Sequence, residues 1–443
     1  MIGRLVGRER GLLLSALGSL GIRLAGMAAS FIIGVQLARG LNPDGFGAYG
    51  IVIAVALVLS VISQFGLQTI ATREISICMA QERWGSLRGY VGSLARVVLG
   101  VSLVLAAVWA GVAAGLPSLL GPPGISLLGA GLVPLYALTV LVSAQLRALG
   151  HLVGGQTMEI LIRPLLMSLL LLFVAIVAIP LTATTAIALQ AAASLATLLV
   201  GILWLLSAMP APARSASAVV PRGWGRSAAA LAAVDILRQL DATYGILLIG
   251  MLSSQAEAGY FRVALSTIVI VATPLSVLNV VLAPTLARLH SEKDLERLQW
   301  ILGVAAIAMF GSALAALVII ALAGKPLLVA IFGSSYAPAW KPLALLTAAQ
   351  AVNGFFGVGW VFLSMSGGER MLTRSFAVSV AVSLVVAVPL IAWWGAAGAA
   401  GAALVGAFVQ NLLAWRGVRT HSSLESSAAG LLWRARFSED ASA

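Results

Sequence analysis

The sequence predicts an all-α integral membrane protein of about twelve transmembrane helices in two pseudo-symmetric six-helix bundles. Three observations carry that prediction: too little charge for a water-facing surface, apolar runs of membrane-spanning length, and a likeness between the two halves of the chain. Of 443 residues, 60% are hydrophobic and 9% are charged. A soluble domain carries about 25% charged residues to cover its surface. A surface that faces lipid removes that need. The apolar runs are about twenty residues long, the length that crosses a hydrocarbon core of roughly 30 Å.

The first run, near residues 12–38, follows Arg4, Arg8 and Arg10 and imitates a secretory signal peptide. It continues to about Ala38 with no convincing cleavage site, so it reads as an uncleaved first helix. Five more runs lie near 46–70, 92–115, 123–146, 158–179 and 182–206. The second set lies near 227–250, 258–285, 300–323, 339–364, 372–392 and 395–415. The expected organisation is a six-helix bundle over 1–206, a basic Pro-containing cytoplasmic linker over 207–226, a second bundle over 227–416 and a cytoplasmic tail over 417–443.

Charge supports the count. Cytoplasmic loops of membrane proteins are enriched in Lys and Arg. With the N-terminus cytoplasmic, twenty of the 27 basic residues fall in cytoplasmic segments, among them Arg73, Arg83 and Arg88, then Arg147 and Arg163. The opposite loops hold only Arg39, Arg262, Lys325 and Lys341, and no reversal of the alternation appears. Both termini are expected in the cytoplasm. A net charge of +12 would also fit a nucleic-acid partner, but most basic residues lie in short loops between apolar spans, the pattern of cytoplasmic membrane loops, which argues against that reading.

The halves match at an offset of about 211 residues. Gly40 to Tyr49 follows the first span and Met251 to Tyr260 follows the seventh; both close on a small-small-Tyr sequence that opens the next helix. The links Leu149-Gly150-His151 and Ser366-Gly367-Gly368 correspond, and the sixth and twelfth spans each embed a glutamine, Gln190 and Gln410. Six spans per half bring both halves in from the same face, so the repeats are parallel. Transporters with internal repeats bind substrate between them near the midplane.

Ionisable groups inside spans are costly and usually face a cavity or a partner. Arg23 lies about eleven residues into the first span, roughly 16 Å at 1.5 Å per residue, and Arg238 lies about as deep in the seventh. Asp235 and Asp241 stand three residues either side of Arg238 on one helix face. A planar guanidinium binds phosphate oxygens bidentately, which makes Arg23 and Arg238 candidates to hold a diphosphate in a water-filled cavity. A buried Arg–Asp network that locks the halves together is the other reading of the same residues. Asp235 and Asp241 serve either as charge balance or as sites for a coupling ion, H⁺ or Na⁺.

Enzyme chemistry finds no foothold. There is no P-loop, no nucleophile triad and no metal cluster; His151, His290 and His421 are scattered in expected loops. The single cysteine, Cys78, excludes an intramolecular disulfide. No cofactor or metal is expected.

The run Leu37-Ala38-Arg39-Gly40-Leu41-Asn42-Pro43-Asp44-Gly45-Phe46-Gly47-Ala48-Tyr49, with Gln64-Phe65-Gly66-Leu67 and Ala71-Thr72-Arg73-Glu74-Ile75, resembles polysaccharide flippases of the Wzx type. These belong to the multidrug/oligosaccharidyl-lipid/polysaccharide exporter (MOP) superfamily. Later landmarks agree: Arg238-Gln239-Leu240-Asp241, Ala258-Gly259-Tyr260-Phe261, Ile331-Phe332-Gly333, and Trp394-Gly395-Ala396-Ala397-Gly398. The resemblance covers about residues 12–416. It implies the MATE-like fold, alternating access around a cationic cavity, ion-coupled exchange, and an undecaprenyl-diphosphate-linked oligosaccharide as cargo. Arg23 and Arg238 match the family's cavity arginines by location. Membrane lipid, a polysaccharide polymerase and other assembly proteins are the expected partners. A cation-coupled multidrug exporter of the same fold is the runner-up, and its cationic cargo fits poorly with two arginines. Export of a peptidoglycan lipid precursor would call for two further helices, and a non-transporting scaffold would not need buried charge.

Overall fold

In a computed structural model, residues 2–115, 123–219 and 225–430 are described. Arg222 of the linker and Arg434 and Arg436 of the tail lie outside the described residues. The described chain is helical almost throughout, and nine of its helices are long and apolar enough to cross a membrane. The bent pair Ser334–Phe356 and Gly359–Met365, which turns by 55° at its break, passes the same test and makes a tenth when counted as one span. The 54-residue helix Glu369–Ser422 holds one non-helical residue, Gly395, with φ +52°. That break falls where the sequence separates its last two spans. The helix Gly225–Leu252 stands outside the nine, and it carries Asp235, Arg238 and Asp241.

Two compact units divide the chain, Met1–Thr243 and Tyr244–Ala443. In the N-terminal unit the helix Pro123–Ala148 is central, packing against Pro43–Gln64, Leu67–Ala80, Trp84–Gly115 and Ala183–Ala208. Its Leu141 and Leu146 are fully buried with Leu67, Ile70, Leu87 and Leu94. In the C-terminal unit, Trp340–Phe356 packs against Gln255–Glu292, Leu295–Phe332 and Glu369–Ser422. Leu286, Leu298, Leu302 and Phe362 are fully buried there.

The repeat signals take shape in matching local structure. Asn42 caps its helix by accepting from the Gly45 backbone N–H at 2.7 Å, and Ser254 caps the corresponding helix by accepting from Glu257 N–H at 3.2 Å. Such caps satisfy amides that have no partner inside the helix. The links after Ala148 and Met365 end the same way. Gly150 and Gly367 are left-handed, at φ +94° and +85°. The next N–H reaches back five residues, His151 to Leu146 O at 3.0 Å and Gly368 to Leu363 O at 2.9 Å.

Several expected boundaries shift. The second apolar run, read as continuous to residue 70, breaks at Phe65 and Gly66, both left-handed, and a separate helix Leu67–Ala80 follows. The fifth span begins earlier than expected, at Leu152. Arg163, tallied with the cytoplasmic loops, lies inside that helix. Lys325, also read as a loop residue, lies within Leu295–Phe332. The helix Leu295–Phe332 exceeds the roughly twenty residues a bilayer needs, so Lys325 near its end is compatible with spanning, whereas Arg163 lies near the middle of Leu152–Ile176.

The segment between the halves is strapped down where it is described. Arg88 donates from Nη1 to Arg214 O at 2.7 Å and to Ala216 O at 2.9 Å. Val219 N–H bonds Gly85 O at 3.0 Å, and the Val219 backbone lies directly on Gly89. At the other end of the chain, Gln299 and the Glu425 backbone exchange two hydrogen bonds of 2.7 and 2.8 Å. The Glu425 carboxylate accepts from Trp415 Nε1 and from the Ser427 hydroxyl, while Ala428 N–H bonds Phe355 O. Residues after Ser422 thus fold back onto the C-terminal unit.

Candidate functional site

A polar cavity of about 260 Å³ lies within the N-terminal unit. Four stretches of chain build its walls. The first contributes Ser60, Gln64 and Gln68, on either side of the left-handed pair Phe65-Gly66. Gly66 is required there twice over. Its φ of +71° suits a residue without Cβ, and a Cβ would stand 2.7 Å from the Ala228 carbonyl oxygen. The break therefore sits against the helix Gly225–Leu252 and turns the two glutamines toward one space.

The second wall is Tyr136 and Val140 of Pro123–Ala148, and the third is Glu159 and Arg163. The local backbone explains how Arg163 arrives. Pro164 has no N–H to return to Ile160 O. The chain takes a π-turn over Met158–Ile162, closed by Arg163 N–H on Met158 O. The loosened Ile160 carbonyl is covered by Gly26 of the first helix, whose Cβ, if present, would lie 2.5 Å from that oxygen. Arg163 then lies over the Tyr136 ring, 4.8 Å from its centroid, within cation–π range.

The fourth wall is Asp235, Arg238 and Gln239. Asp235 accepts from Gln68 Nε2 at 3.0 Å. It does not pair with Arg238: among the described residues neither Arg238 nor Arg163 has a carboxylate within ion-pair distance. The cavity thus presents two guanidiniums, two carboxylates and three amides. Guanidiniums donate to phosphate oxygens, whereas carboxylates and amides meet hydroxyl groups.

Two of the four residues singled out from the sequence, Asp235 and Arg238, come together in this cavity. Arg23 is exposed on the helix Ile2–Gly40 and Asp241 is half-buried; neither lines it. Glu159, Arg163 and Tyr136 were not among the expected site residues. The Arg163-Pro164 pair was the available signal, since a proline after an apolar start marks a helix distortion as well as a loop.

Comparison with known proteins agrees with this architecture. No curated protein matches the sequence. Among solved structures, the lipid II flippase MurJ in an inward closed conformation superposes with a TM-score of 0.70 at 10% identity, over 92% of this chain and 87% of that one. An inward-facing multidrug resistance MATE family transporter of the MOP superfamily gives 0.69 at 14% identity, over 92% and 98%. The MATE multidrug transporter DinF-BH gives 0.62 at 12% identity, over 94% and 96%. These likenesses establish the fold, that of MOP-superfamily membrane transporters. The family profile described as polysaccharide biosynthesis protein matches residues 15–290, more than half of the chain, and this multi-pass membrane protein belongs to that family.

Proposed function

We propose that the protein is a flippase that carries an undecaprenyl-diphosphate-linked oligosaccharide across the bacterial inner membrane for surface polysaccharide synthesis. The observation that carries this reading is the polar cavity in which Arg163 and Arg238 stand with no carboxylate at ion-pair distance among the described residues. A diphosphate joined to a sugar offers both chemistries the cavity can meet, oxygens for the guanidiniums and hydroxyls for Glu159, Asp235 and the amides. Membership of the polysaccharide biosynthesis family supports a glycan cargo. The exposed guanidinium of Arg23 is assigned to the same anionic substrate. Asp235 and Asp241 are assigned to charge balance or to a coupling H⁺ or Na⁺. Twelve crossings follow when Gly225–Leu252 and both arms of Glu369–Ser422 are each counted as a span, with both termini in the cytoplasm. A polysaccharide polymerase is the natural partner downstream.

The test is reconstitution in liposomes with a fluorescent polyprenyl-diphosphate sugar, at equal protein amounts. Arg163→Ala and Arg238→Ala each lower translocation about tenfold, the loss of one charge-assisted contact of roughly 1.4 kcal/mol. Unchanged translocation in both variants and in Arg23→Ala overturns the anion site. Export of cationic dyes without movement of the lipid-linked sugar assigns the protein to multidrug export.

A further inference from the structure

The bend between Ser334–Phe356 and Gly359–Met365 is built from two parts of the chain, one of them distant in sequence. The helix Trp340–Phe356 closes at Gly357, whose N–H turns back onto Asn353 O and Gly354 O, both at 3.1 Å. Gly357 itself stands at φ +66° and ψ −146°, a conformation that suits glycine and strains other residues. The helical path is lost there and resumes at Gly359 in a direction turned by 55°.

A break of this kind frees carbonyls that a continuous helix would satisfy. In a continuous helix Phe355 O would receive the N–H of Gly359, four places on. In this structure it receives Ala428 N–H at 2.7 Å. That donor comes from beyond the long helix Glu369–Ser422, which ends on the left-handed Ser423 at φ +57°. The residues that follow run back against the break. A Cβ on Gly357 would stand 2.7 Å from Ser426 O, and one on Gly359 would stand 2.6 Å from Ser426 Oγ. Both Ser426 and Ser427 are buried. Glu425 ties the same segment to Gln299 of Leu295–Phe332 and to Trp415.

We propose that residues 423–430 form a strap that holds this span bent, and that releasing the strap lets the span straighten about Gly357 and Val358. The Ala428 amide does for the bent form what the helix's own amide does for the straight one, so either form satisfies Phe355 O. Hydrogen bonding at that carbonyl then favours neither, and the strap decides between them. Gly357 and Val358 lie outside both helices, and such positions absorb the backbone rotation of a hinge. A transporter works by moving its spans, and a bend set by a short detachable segment gives the C-terminal unit a switch. The inference does not depend on which solute is carried.

The full-length protein, with Cys78→Ala to remove the native thiol, carries spin labels at Lys341→Cys and Met365→Cys, exposed positions on the two arms. Distances are read by pulsed electron paramagnetic resonance in lipid nanodiscs. At roughly 1.5 Å per residue a straight span sets these positions about 36 Å apart, and the 55° bend shortens that by about 4 Å. The intact protein gives the short distance. Truncation after Ser422 removes the strap and lengthens the distance by about 4 Å. Ala428→Pro removes the N–H that Phe355 O accepts, at the second position of a turn closed by Gly430 N–H on Ser427 O, where proline fits. It gives a mixture of short and long distances and an independent reading should the truncated protein fold poorly. The short distance alone in both variants overturns the proposal, since Gly357 then sets the bend without the tail. A broad, featureless distribution in both shows that the segment holds the unit together and not its bend, and also overturns it.

Discussion

Gln68 Nε2 donates to Asp235 Oδ2 at 3.0 Å across 167 residues of sequence. The bond ties the short helix after the Phe65-Gly66 break to the charged helix Gly225–Leu252. It leaves Arg238, one turn further along, without a carboxylate at ion-pair distance among the described residues. Asp235 thus spends a lone pair on an amide and not on its neighbouring cation.

Removing that amide strands the carboxylate. Gln68→Leu lowers stability by about 1–3 kcal/mol, the cost of leaving a part-buried acceptor unmet. Asp235→Asn, which keeps an acceptor for Gln68, costs less. Thermal melting in detergent ranks the two variants, and the opposite order removes the bond from the stability argument.

Gly66 tolerates no side chain. Gly66→Ala meets both the left-handed strain, roughly 1–2 kcal/mol, and the Ala228 carbonyl at 2.7 Å. The expected result is a lower melting temperature and a poorly monodisperse size-exclusion profile. Gly92, with open space around its Cβ position, is the control, and Gly92→Ala leaves both readings unchanged.

Arg163 holds its place through a flat group stacked on Tyr136. Lysine retains the charge and loses the planar fork. Arg163→Lys therefore translocates lipid-linked sugar more slowly than wild type and faster than Arg163→Ala. Equal rates for the lysine variant and the wild type would reduce the role of this residue to charge alone.

Cys78 lies in the helix Leu67–Ala80, outside the spans, and is fully buried. Burial pushes its thiol above the ordinary range; Arg83 acts against this shift and Glu74 adds to it. A raised value means less thiolate at any given pH, and thiolate is the reactive form. Maleimide labelling of the native protein is slow even at about pH 8.5, the ordinary thiol midpoint, and goes to completion in denaturant. Rapid native labelling would contradict the burial.

The segment after Ser422 contributes stability through Glu425. Glu425→Ala removes the acceptor of Trp415 and Ser427 and lowers the melting temperature. Truncation after Ser422 lowers it further, because the Gln299 exchange and the Ala428 bond to Phe355 go too. An unaffected melting temperature in the truncated protein would show that the fold-back is dispensable.

Much of the architecture was legible because it rests on local rules. The links around Gly150 and Gly367, read as corresponding, end their helices in the same way, and the break at Gly395 falls at the start of the last expected span. The misreadings share a physical origin: apolarity records burial in lipid or protein but not the continuity of the backbone. The run through Phe65 and Gly66 is apolar on both sides of a break, so nothing in hydropathy marks it. Arg163 beside Pro164 looks like a loop because the proline removes a hydrogen bond, yet the helix absorbs that loss by widening one turn. Within the expected tail, the stretch Ser422 to Ser427 packs back through Gln299 and Phe355, partners too distant in sequence for hydropathy to reveal. For the candidate site, Asp235 and Arg238 were visible as charge inside an apolar run. Glu159 and Tyr136 were not, since only the packing of separate helices brings them to the same space.

The widened turn at Met158–Ile162 also fixes an angular register. A π-turn accommodates one residue more than an α-helix would use. Deleting a single residue there would let the ordinary pattern close, and everything downstream would rotate by about 100° about the helix axis. Arg163 would swing off the Tyr136 ring with its chemistry intact. The aim of this guanidinium is thus encoded in chain length: an insertion or deletion of one would disarm it as surely as replacing the arginine itself.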